Sequence, residues 1–539
     1  MNKKLILILI LAAFLRFWQL GSVPALNADE AALGYNAYSL IETGKDEHGN
    51  PWPIHFQSFN DYKPGLYVYL ILPFVKFFGL NPLAIRIPGA FLGVATVYLI
   101  YLLVRELFND ERLAIISSLL LAISPWHIHF SRGAWEVNVA TFFMTAGLLL
   151  FIKGLKDQKY FVYSVLSFVL SLYTYHATRV VVPLLGLGLF VIYSSELIKN
   201  VKPLIRAGVI GTILIIPLVL SLVRGGVLSR AAGVGLFADP GPLSRLEEQR
   251  SQHVDFTSLP AKLMHNKGVN YFLAFAENLM EHYSGDFLFI SGDEIQRNRV
   301  PETGQAHIYS LLFILVGIWW IVKRPSKEIF VVLLWLLVAP TAAALTFQSP
   351  HALRAQNMVI PLTILSAFGL VKILNWLAKQ ENKKLVTTGY WSLVILISWA
   401  FARYQHMYWV HMVKEYPFSS QYGFEEMFNY VEENKHKFEK VVITDRYDQP
   451  YILSLFHLKY PPSKFQNEHQ LTPRDTFGFS TVRTYNMYNF VSIRSWDQVR
   501  TEYPRSLIIG TNKEIPREAN VIKIIYFPNG EIAYKIAAN

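Results

Sequence analysis

LAIRIPGAFLGVATVYLIYLLV, residues 83–104, is the stretch that decides the fold class. It carries a single charged side chain, Arg86, close to its start. A helix of about 20 mostly apolar residues is enough to cross the hydrocarbon core of a bilayer. In the whole chain 52% of residues are hydrophobic and 17% are charged, whereas roughly a quarter are charged in a typical soluble domain. We therefore expect lipid to be the main solvent of this chain.

Other stretches of similar length and character follow along the chain. We interpret the first of them as a membrane helix rather than a cleaved signal peptide, because Arg16 and Trp18 interrupt its apolar run. The predicted fold class is a polytopic α-helical membrane protein with about eleven transmembrane helices. Besides 83–104, these stretches are 5–24, 113–130, 137–152, 160–176, 179–196, 204–223, 307–322, 328–347, 356–377 and 385–403.

Basic residues fall at alternate connections between these stretches, which the positive-inside rule assigns to the cytoplasm. The N-terminus is then inside and the C-terminal part outside, in a plasma (inner) membrane. The apolar segment 66–79 is predicted as a juxtamembrane or re-entrant helix, because a crossing there would move every later basic loop to the other side. The basic residues are Lys3, Lys4, Arg105, Arg112, Lys153, Lys156, Lys159, Lys199, Lys202, Arg206, Lys323, Arg324, Lys327, Lys379, Lys383 and Lys384.

Three regions outside the apolar stretches are too long to be simple connectors. Two are outer loops, 25–82 and 224–306, and long loops of this kind are often functional. The third begins after Arg403 and has one helical pattern and several β-rich runs. We predict a membrane domain over 1–404 and a small extracytoplasmic α/β domain over 405–539. The helical pattern covers 424–436, and the β-rich runs are 441–444, 506–510 and 521–526.

Composition excludes several kinds of chemistry. The chain has no cysteine, which removes disulfides, thiolate metal sites and thiol nucleophiles. Lys and Arg number 50 against 39 acidic residues, but no run of five or more basic residues occurs, so we predict no nucleic-acid partner. No HExxH or comparable metal-ligand spacing occurs either, and His127 and His129 do not share a helical face.

The first outer loop contains Asn27-Ala28-Asp29-Glu30 ahead of a helical pattern. Asn27 and Glu30 have the spacing of a helix capping box, which is a structural role. The box does not use Asp29, and an outward carboxylate at a membrane surface can act as a general base. Both the structural and the catalytic interpretation remain open from these residues alone.

Several lysines and arginines lie near the N-terminal ends of predicted helices, where the helix dipole disfavours a positive charge. Lys63, in Asn60-Asp61-Tyr62-Lys63-Pro64-Gly65, precedes a predicted helix and opposes its dipole unless an anion intervenes. Arginines near the outer, N-terminal ends of helices pose the same problem. A bound lipid phosphate would resolve it, and so would internal partners or snorkelling toward headgroups. The arginines are Arg86, Arg132, Arg179 and Arg354, and the possible internal partners are Asp29, Glu30, Asp61 and Glu136.

His351, three residues before Arg354, is a further candidate phosphate donor. In the second outer loop, Glu281-His282-Tyr283 and Asp293-Glu294 offer carboxylates and an imidazole. These are candidates of the same chemical type, equally compatible with surface or structural roles.

Several of these motifs, taken in order, resemble the protein mannosyltransferase and aminoarabinose transferase superfamily, membrane glycosyltransferases of the GT-C fold. The resemblance covers roughly 1–155 well and 280–370 more loosely. Its strength lies in the order of the motifs and their common outer placement. The motifs are Asp29-Glu30-Ala31, Tyr62-Lys63-Pro64-Gly65-Leu66-Tyr67, Arg86-Ile87-Pro88, Ser124-Pro125-Trp126 through Ser131-Arg132, and Pro350-His351-Ala352-Leu353-Arg354.

The resemblance implies transfer of a sugar from a polyprenyl-phosphate donor to an acceptor at the outer face, usually with inversion at the anomeric carbon. It implies that Asp29 is the base, that Glu30 assists it, and that Lys63 binds donor phosphate. Arg354 looks like an additional phosphate ligand. This sequence departs from the pattern with Gly65 where many members have a second proline, and with Tyr62 where aminoarabinose transferases have a glutamate proposed to bind metal.

The resemblance would also place Glu136 where relatives carry an aspartate. These departures leave the sugar and a metal open. We predict no required cofactor, since cations can stabilise a phosphate leaving group, while a divalent metal stays possible.

The leading hypothesis is a membrane glycosyltransferase with a protein, lipid or cell-surface glycan as acceptor. One alternative is an oligosaccharyltransferase-like enzyme, whose Trp-Trp-Asp signature has only Ser495-Trp496-Asp497 as its nearest counterpart here. The other alternative is a transporter or lipid-binding protein. A transporter often shows repeated halves and mid-membrane ionisable residues, and the sequence shows neither clearly.

Overall fold

The structure is a computed structural model that describes residues 2–59, 61–199, 201–224, 235–475 and 479–539. Asn60, the first residue of the predicted Lys63 motif, lies outside the described residues, and so does the part of the predicted outer loop from 225 to 234. Most of the described chain is helical.

Each predicted apolar stretch coincides with a helix or a helix pair. Among the described residues, six helices are long and apolar enough to cross a membrane, or seven if one bent pair is a single span. Others are apolar but shorter, so the predicted number of about eleven stays a prediction. The six are Pro82–Phe108, Glu136–Gly154, Val201–Val223, Lys327–Ala344, Gln356–Leu377 and Lys383–Glu415. The shorter apolar helices are Leu66–Phe78, Tyr160–Thr174, Thr178–Ile192 and Tyr309–Lys323, and the chain begins with helix Lys3–Phe17.

The bent pair consists of helices Glu111–Ala122 and Pro125–Ser131, which meet at 58°. Pro125 has no backbone N–H to continue the first helix, and it suits the first turn of the second. The bend places Trp126 next to other parts of the chain. Its backbone N–H donates to Gln305 O at 3.2 Å, and its Nε1 donates to Ala352 O at 3.0 Å.

The chain divides into two compact units, each described here by itself. The first comprises Met1–Leu15, Leu92–Phe130 and Glu136–Gln405. Its helices Tyr309–Lys323 and Val359–Leu377 cross at two glycines, since a Cβ on Gly317 would lie 2.8 Å from Leu365 O and one on Gly369 would overlap Phe313 O. Small residues permit this close approach of helix backbones. The unit also contains the smaller helices Ser194–Ile198, Gly241–Ser251, Leu259–Met264 and Lys267–Glu281.

The second unit comprises Arg16–Phe91, Ser131–Trp135 and His406–Asn539. The predicted boundary at 404/405 therefore separates parts that this unit combines. The reason is direct hydrogen bonding: Gln421 Oε1 accepts from Ala28 N at 2.7 Å, and Tyr460 O accepts from Tyr35 Oη at 2.9 Å. Residues from the predicted outer loop and the predicted C-terminal domain thus share one core.

The C-terminal part of the second unit is built around a six-stranded sheet. Its strands are β3 Lys440–Thr444, β4 Thr484–Tyr485, β5 Tyr488–Val491, β6 Ser506–Gly510, β7 Val521–Tyr526 and β8 Ile532–Ala538, and they follow in the chain a two-stranded hairpin of β1 His55–Ser58 and β2 Asp61–Pro64. The order in the six-stranded sheet is β4-β5-β3-β6-β8-β7. β3 is parallel to both β5 and β6, and the other pairs are antiparallel. Every residue of β6 is buried, as expected for a central strand covered on both faces. The helices of this part are Met412–Glu415, Phe424–Asn434, Pro450–His457, Pro462–Glu468 and Trp496–Glu502.

The predicted helix near 424–436 and the three predicted β-rich runs are confirmed by these elements. The prediction missed β4, β5 and β8. β8 reads IAYKIAA and mixes Lys535 and alanines with its apolar residues, so its pattern is weak in the sequence.

Candidate functional site

The helix Ala28–Thr43 positions Asp29. Asn27 caps it: Asn27 Oδ1 accepts from Glu30 N at 3.1 Å, and the Glu30 side chain accepts from Asn27 N. The predicted capping box is confirmed. As expected, the box leaves Asp29 out, and its side chain is 29% exposed in the first turn of the helix.

Lys63 lies on a two-stranded antiparallel hairpin formed by β1 His55–Ser58 and β2 Asp61–Pro64. Its Nζ is 2.6 Å from Asp29 Oδ1 and 5.2 Å from the centre of the Phe59 ring. The Lys63 side chain is 12% exposed. The structure therefore brings the predicted base and the predicted phosphate ligand into direct contact. It also places Lys63 on a strand ahead of helix Leu66–Phe78, with Asp29 as the anion that the dipole argument required.

Gly65 closes the hairpin against the preceding segment. Its N–H donates to Ile54 O at 2.9 Å, and a Cβ on Gly65 would lie 2.8 Å from the same oxygen and 2.7 Å from the Phe56 ring. A proline has no N–H to donate and also carries a Cβ. This contact is the physical reason why the second proline of the family pattern does not fit here.

Glu30 was expected to assist catalysis and Arg86 to bind phosphate, and the structure gives both a structural role. Arg86 Nε donates to Glu30 Oε1 at 2.7 Å and Nη2 donates to Oε2 at 2.6 Å, with neither side chain exposed. The remaining Arg86 donors reach the carbonyls of Leu20, Pro24 and Ala25. Ala134 N also donates to Glu30 Oε1 at 2.7 Å. Neither side chain has access to a ligand in this arrangement.

Arg132 was also expected to bind phosphate, and it too is fully buried. Its Nη2 donates to the carbonyls of Trp18 and Val23 at 2.7 and 3.1 Å, and its Nε donates to Tyr408 Oη at 3.0 Å. Its guanidinium lies 4.7 Å from the centre of the Trp409 ring, a cation–π contact. Arg132 thus ties the segment after the first helix to the C-terminal part of its unit.

The other predicted site residues occupy varied positions. Asp61 is buried, and its Oδ1 accepts from Tyr62 N at 2.9 Å, while Tyr62 is half-buried on β2. In the first unit, Arg179 Nη1 lies 2.9 Å from His176 Nδ1, and half-buried Glu136 is the first residue of helix Glu136–Gly154.

The first unit holds a second polar cluster, which contains the predicted residues His282, His351 and Arg354. His282 Nε2 accepts from His351 N at 3.1 Å, so its other nitrogen carries the proton and donates to Asn278 O at 2.8 Å. Burial lowers the pKa of His282 to about 4, and the Arg354 charge adds to this effect. Arg354 Nη1 donates to Thr346 Oγ1 at 2.6 Å.

Asp293 organises this cluster, and the sequence offered it only as one of several loop carboxylates. Its Oδ2 accepts from Ala352 N at 2.6 Å and lies 3.6 Å from His351 Nδ1. Its Oδ1 accepts from Ile295 N at 2.8 Å. Burial raises the pKa of Asp293, partly offset by these hydrogen bonds. These hydrogen bonds connect the backbone of the loop that carries His351 to His282 and Asp293.

Glu47 is a residue that sequence reasoning did not identify. It is fully buried, its Oε1 accepts from Asn36 Nδ2 at 3.2 Å, and its Oε2 has no hydrogen-bond partner among the residues that the structure describes. Burial raises its pKa to about 8, the Asp46 charge adds to this, and the Lys63 charge opposes it. The only signal in the sequence is Asn36, which lies about two turns after Asp29 on the same helix face.

Metal binding was left open by the sequence. Within the described ranges, no three His, Asp or Glu side chains are grouped so that they could hold a metal ion. The polar chemistry described in the second unit is instead an acid–cation pair, and in the first unit an imidazole–carboxylate–guanidinium cluster.

Comparisons with known proteins identify the fold. Residues 62–220 match the sequence profile of a family described as dolichyl-phosphate-mannose-protein mannosyltransferase. The whole chain superposes on the crystal structure of ArnT from Cupriavidus metallidurans bound to undecaprenyl phosphate, with a TM-score of 0.54, 11% identity, and coverage of 99% of this chain and 97% of that one. The protein has the GT-C fold. Its helices and the polar loops between them are thus those of a GT-C scaffold.

Other similarities extend the same picture. The chain also matches the structure of the archaeal oligosaccharyltransferase AglB from Archaeoglobus fulgidus in complex with an inhibitory peptide and a dolichol-phosphate. The TM-score of this match is 0.53 and the sequence identity is 14%. That match covers 84% of this chain and 63% of AglB, so this chain spans less than two thirds of the archaeal protein. An uncharacterized protein from Aquifex aeolicus is 29% identical over 163 residues, which is 30% of this chain and 32% of that protein.

Proposed function

We propose that this protein is a membrane glycosyltransferase that moves a sugar from a polyprenyl-phosphate donor to an acceptor at the extracytoplasmic face. The observation that carries the proposal is the 2.6 Å contact between Asp29 Oδ1 and Lys63 Nζ, in a pair that stays partly exposed. The family described for residues 62–220 and the lipid phosphates bound by ArnT and AglB support this donor class.

In the proposed reaction Asp29 is the base. Its carboxylate takes the proton of an acceptor hydroxyl as the hydroxyl oxygen attacks the anomeric carbon of the sugar. The bond between that carbon and the phosphate oxygen breaks, and its electron pair leaves with the polyprenyl phosphate. Attack opposite the leaving phosphate inverts the anomeric carbon. The products are the glycosylated acceptor, the lipid phosphate and a proton held on Asp29.

Lys63 has two tasks in this proposal. Before the donor binds, its ammonium orients the Asp29 carboxylate through the ion pair. When the donor binds, the same ammonium stabilises the negative charge that develops on the leaving phosphate, an interaction worth more in a partly water-excluded site. Because the donor brings its own activated leaving group, one carboxylate and well-placed cations suffice for the chemistry.

Further phosphate contacts are proposed for Arg354 and Arg179, which are half-buried, and for His351, which is buried beside Asp293. Arg354, His351 and Arg179 stay in this role, while Asp61, Tyr62, Glu136 and His282 stay as acceptor or supporting residues. Arg86 and Arg132 are not carried forward, because their donors go to Glu30, to Tyr408 and to backbone carbonyls. The acceptor is a protein, a lipid or a cell-surface glycan.

The basic connections support a topology for this reaction. With the basic loops in the cytoplasm, the N-terminus is cytoplasmic and the part after Arg403 is extracytoplasmic. We propose the plasma membrane as the location, since polyprenyl-phosphate sugars and extracytoplasmic acceptors meet there.

The experiment uses the full-length protein in vesicles supplied with undecaprenyl-phosphate and dolichyl-phosphate sugars, after mass spectrometry of a deletion strain has identified the missing glycoconjugate. Asp29→Asn is expected to lower kcat by about 10²–10⁴-fold, the usual contribution of a general base. The matched control is Asp497→Asn on the exposed surface, which is expected to keep wild-type activity. Full activity of Asp29→Asn would refute the catalytic assignment.

The similarity to AglB supports a second candidate, an oligosaccharyltransferase-like enzyme. It differs in its donor, a whole glycan on lipid pyrophosphate. Supplying both donor classes to the same vesicles separates the two, because the proposed enzyme consumes only the monophosphate-linked sugar.

A further inference from the structure

Helix Lys267–Glu281, KGVNYFLAFAENLME, exposes large apolar side chains although it is too polar to be a membrane span. Phe272, Leu273 and Met280 are 66%, 56% and 62% exposed. At 100° per residue these three fall, with Val269 and Ala276, within an arc of about 100° on the helix surface. A helix with one apolar face and low overall hydrophobicity is suited to lie in the plane of a membrane interface.

The other side of this helix is fastened to the end of a candidate membrane span. Asn278 Nδ2 donates to Ala344 O at 3.2 Å and to Thr346 O at 3.0 Å. Ala344 ends the span Lys327–Ala344, where backbone carbonyls have no partner within the helix. Tyr283 Oη donates to Leu336 O, inside the same span, at 2.9 Å. The helix therefore lies against the C-terminal half of that candidate span.

The neighbouring helix Leu259–Met264 has the same surface character. Its Leu259, Leu263 and Met264 are 60–70% exposed. Lys262 on this helix and Lys267 at the start of the next are exposed cations. Apolar side chains beside Lys262 and Lys267, with Glu277 and Glu281 farther along, match the boundary between acyl chains and polar headgroups.

We propose that helix Lys267–Glu281 is an interfacial helix whose apolar face enters the outer leaflet of the bilayer, and that through Asn278 it holds the loop 344–354 at headgroup depth. The occupant of the apolar face is the lipid bilayer itself. The role given to loop 344–354 rests on the proposed function, in which His351 and Arg354 of this loop contact the donor phosphate.

The coupling runs through hydrogen bonds at the end of the interfacial helix. Asn278 O accepts from Ser349 Oγ at 2.9 Å and from His282 Nδ1 at 2.8 Å. His282 in turn accepts from the backbone of His351. The depth of the interfacial helix in the bilayer therefore sets the height of His351 and of the loop that leads to Arg354, which suits a ligand whose phosphate lies at the membrane surface.

The absence of cysteine allows a clean test with single-cysteine variants of the full-length protein. Phe272→Cys and Leu273→Cys would be spin-labelled in nanodiscs of phosphatidylethanolamine and phosphatidylglycerol. The control is Glu247→Cys on the polar, exposed helix Gly241–Ser251. Electron paramagnetic resonance then compares collisions with oxygen, which concentrates in lipid, and with a water-soluble nickel chelate.

The expected result is an oxygen-to-nickel accessibility ratio several-fold higher at Phe272 and Leu273 than at Glu247. Equal ratios at all three positions overturn the proposal. Protection that appears only in nanodiscs loaded with two copies also overturns it, because the occupant is then a second copy of the chain. These measurements need no enzymatic activity, so their failure is distinct from failure of the proposed function.

The coupling is tested separately with Asn278→Ala. This variant removes the side-chain bonds to Ala344 O and Thr346 O, which hold the start of the loop, and keeps the backbone carbonyl that accepts from Ser349 and His282. Loss of the two side-chain bonds is expected to raise the KM for the lipid donor by about fivefold, the equivalent of one net hydrogen bond, with kcat unchanged. The spin-label depth at Leu273 is expected to stay as in the parent. An unchanged KM at unchanged depth refutes the coupling and leaves the membrane contact standing.

Discussion

Arg86 holds both carboxylate oxygens of Glu30, at 2.7 and 2.6 Å, in an ion pair with neither side chain exposed. Asp29, the preceding residue, instead contacts Lys63 and stays 29% exposed. Successive residues on a helix point about 100° apart, so two adjacent carboxylates reach different surroundings. One stabilises the fold, and the other is available for chemistry.

Glu30→Gln is expected to destabilise the protein by about 3–5 kcal/mol, because Arg86 would keep a buried charge without a counter-charge. Asp29→Asn is expected to change the unfolding free energy by less than about 1 kcal/mol, since its ion pair is partly exposed. Thermal or denaturant unfolding in detergent micelles measures both. A Glu30→Gln protein as stable as the parent but with low kcat would restore Glu30 as a catalytic residue.

Lys63→Met is expected to raise the KM for the donor and lower kcat, about 10–100-fold in kcat/KM, because one cation is lost from the phosphate. Lys63→Arg should recover part of the loss, since it keeps the charge but changes its geometry. The control is Lys435→Met, which removes a surface lysine from an ion pair with Glu432. Equal kinetics for Lys63→Met and Lys435→Met would rule out the phosphate role.

The stability of the folded protein is expected to depend on pH through the buried carboxyl group of Glu47. Its folded-state pKa is about 8, above the ordinary 4.5, so the folded protein binds more protons than the unfolded chain between these values and stability falls as pH rises through this window. His48 has the opposite effect. Burial lowers its pKa from the ordinary 6.5 to about 3, so its contribution to the stability of the folded protein rises with pH up to about pH 6.5. Glu47 therefore dominates this pair between pH 6.5 and pH 8.

The measurement is the Tm in detergent from pH 6.5 to pH 8 for the parent and for Glu47→Gln. A glutamine keeps an oxygen for the Asn36 amide and removes the titration. The parent Tm is expected to fall across this range, and the slope for Glu47→Gln is expected to be flatter. Parallel curves would show that Glu47 is ionised already at the lower pH.

Gly65→Ala is expected to cost about 1–3 kcal/mol, because its Cβ would press on Ile54 O and the Phe56 ring. Gly65→Pro should cost more, since the N–H that donates to Ile54 O is lost as well. The hairpin carries Lys63, so donor KM should rise in both variants. The control is Gly186→Ala on helix Thr178–Ile192, where a Cβ meets nothing within 4 Å and the backbone φ is not positive. If Gly65→Ala unfolds like the parent, the hairpin tolerates the larger residue.

Local patterns in the chain were enough to predict a membrane protein, the position of each apolar helix, the capping box at Asn27 and three strands of the C-terminal sheet. These features depend on neighbours in sequence: apolar length, residue spacing and short-range hydrogen bonds. For the same reason Asp29 stood out, because the box has no use for it. The resemblance of the motifs supplied Lys63 and the donor class as expectations.

The tertiary structure decides which partner each arginine has. Arg86, Arg132, Arg179 and Arg354 look alike in sequence, near helix ends that are predicted to be on the outer side, but Arg86 and Arg132 are buried against partners distant in the chain. The same holds for the joining of Arg16–Phe91 with His406–Asn539 in one unit, and for the buried carboxyl of Glu47. Desolvation and hydrogen-bond partners are properties of the assembled surroundings, and no local pattern records them.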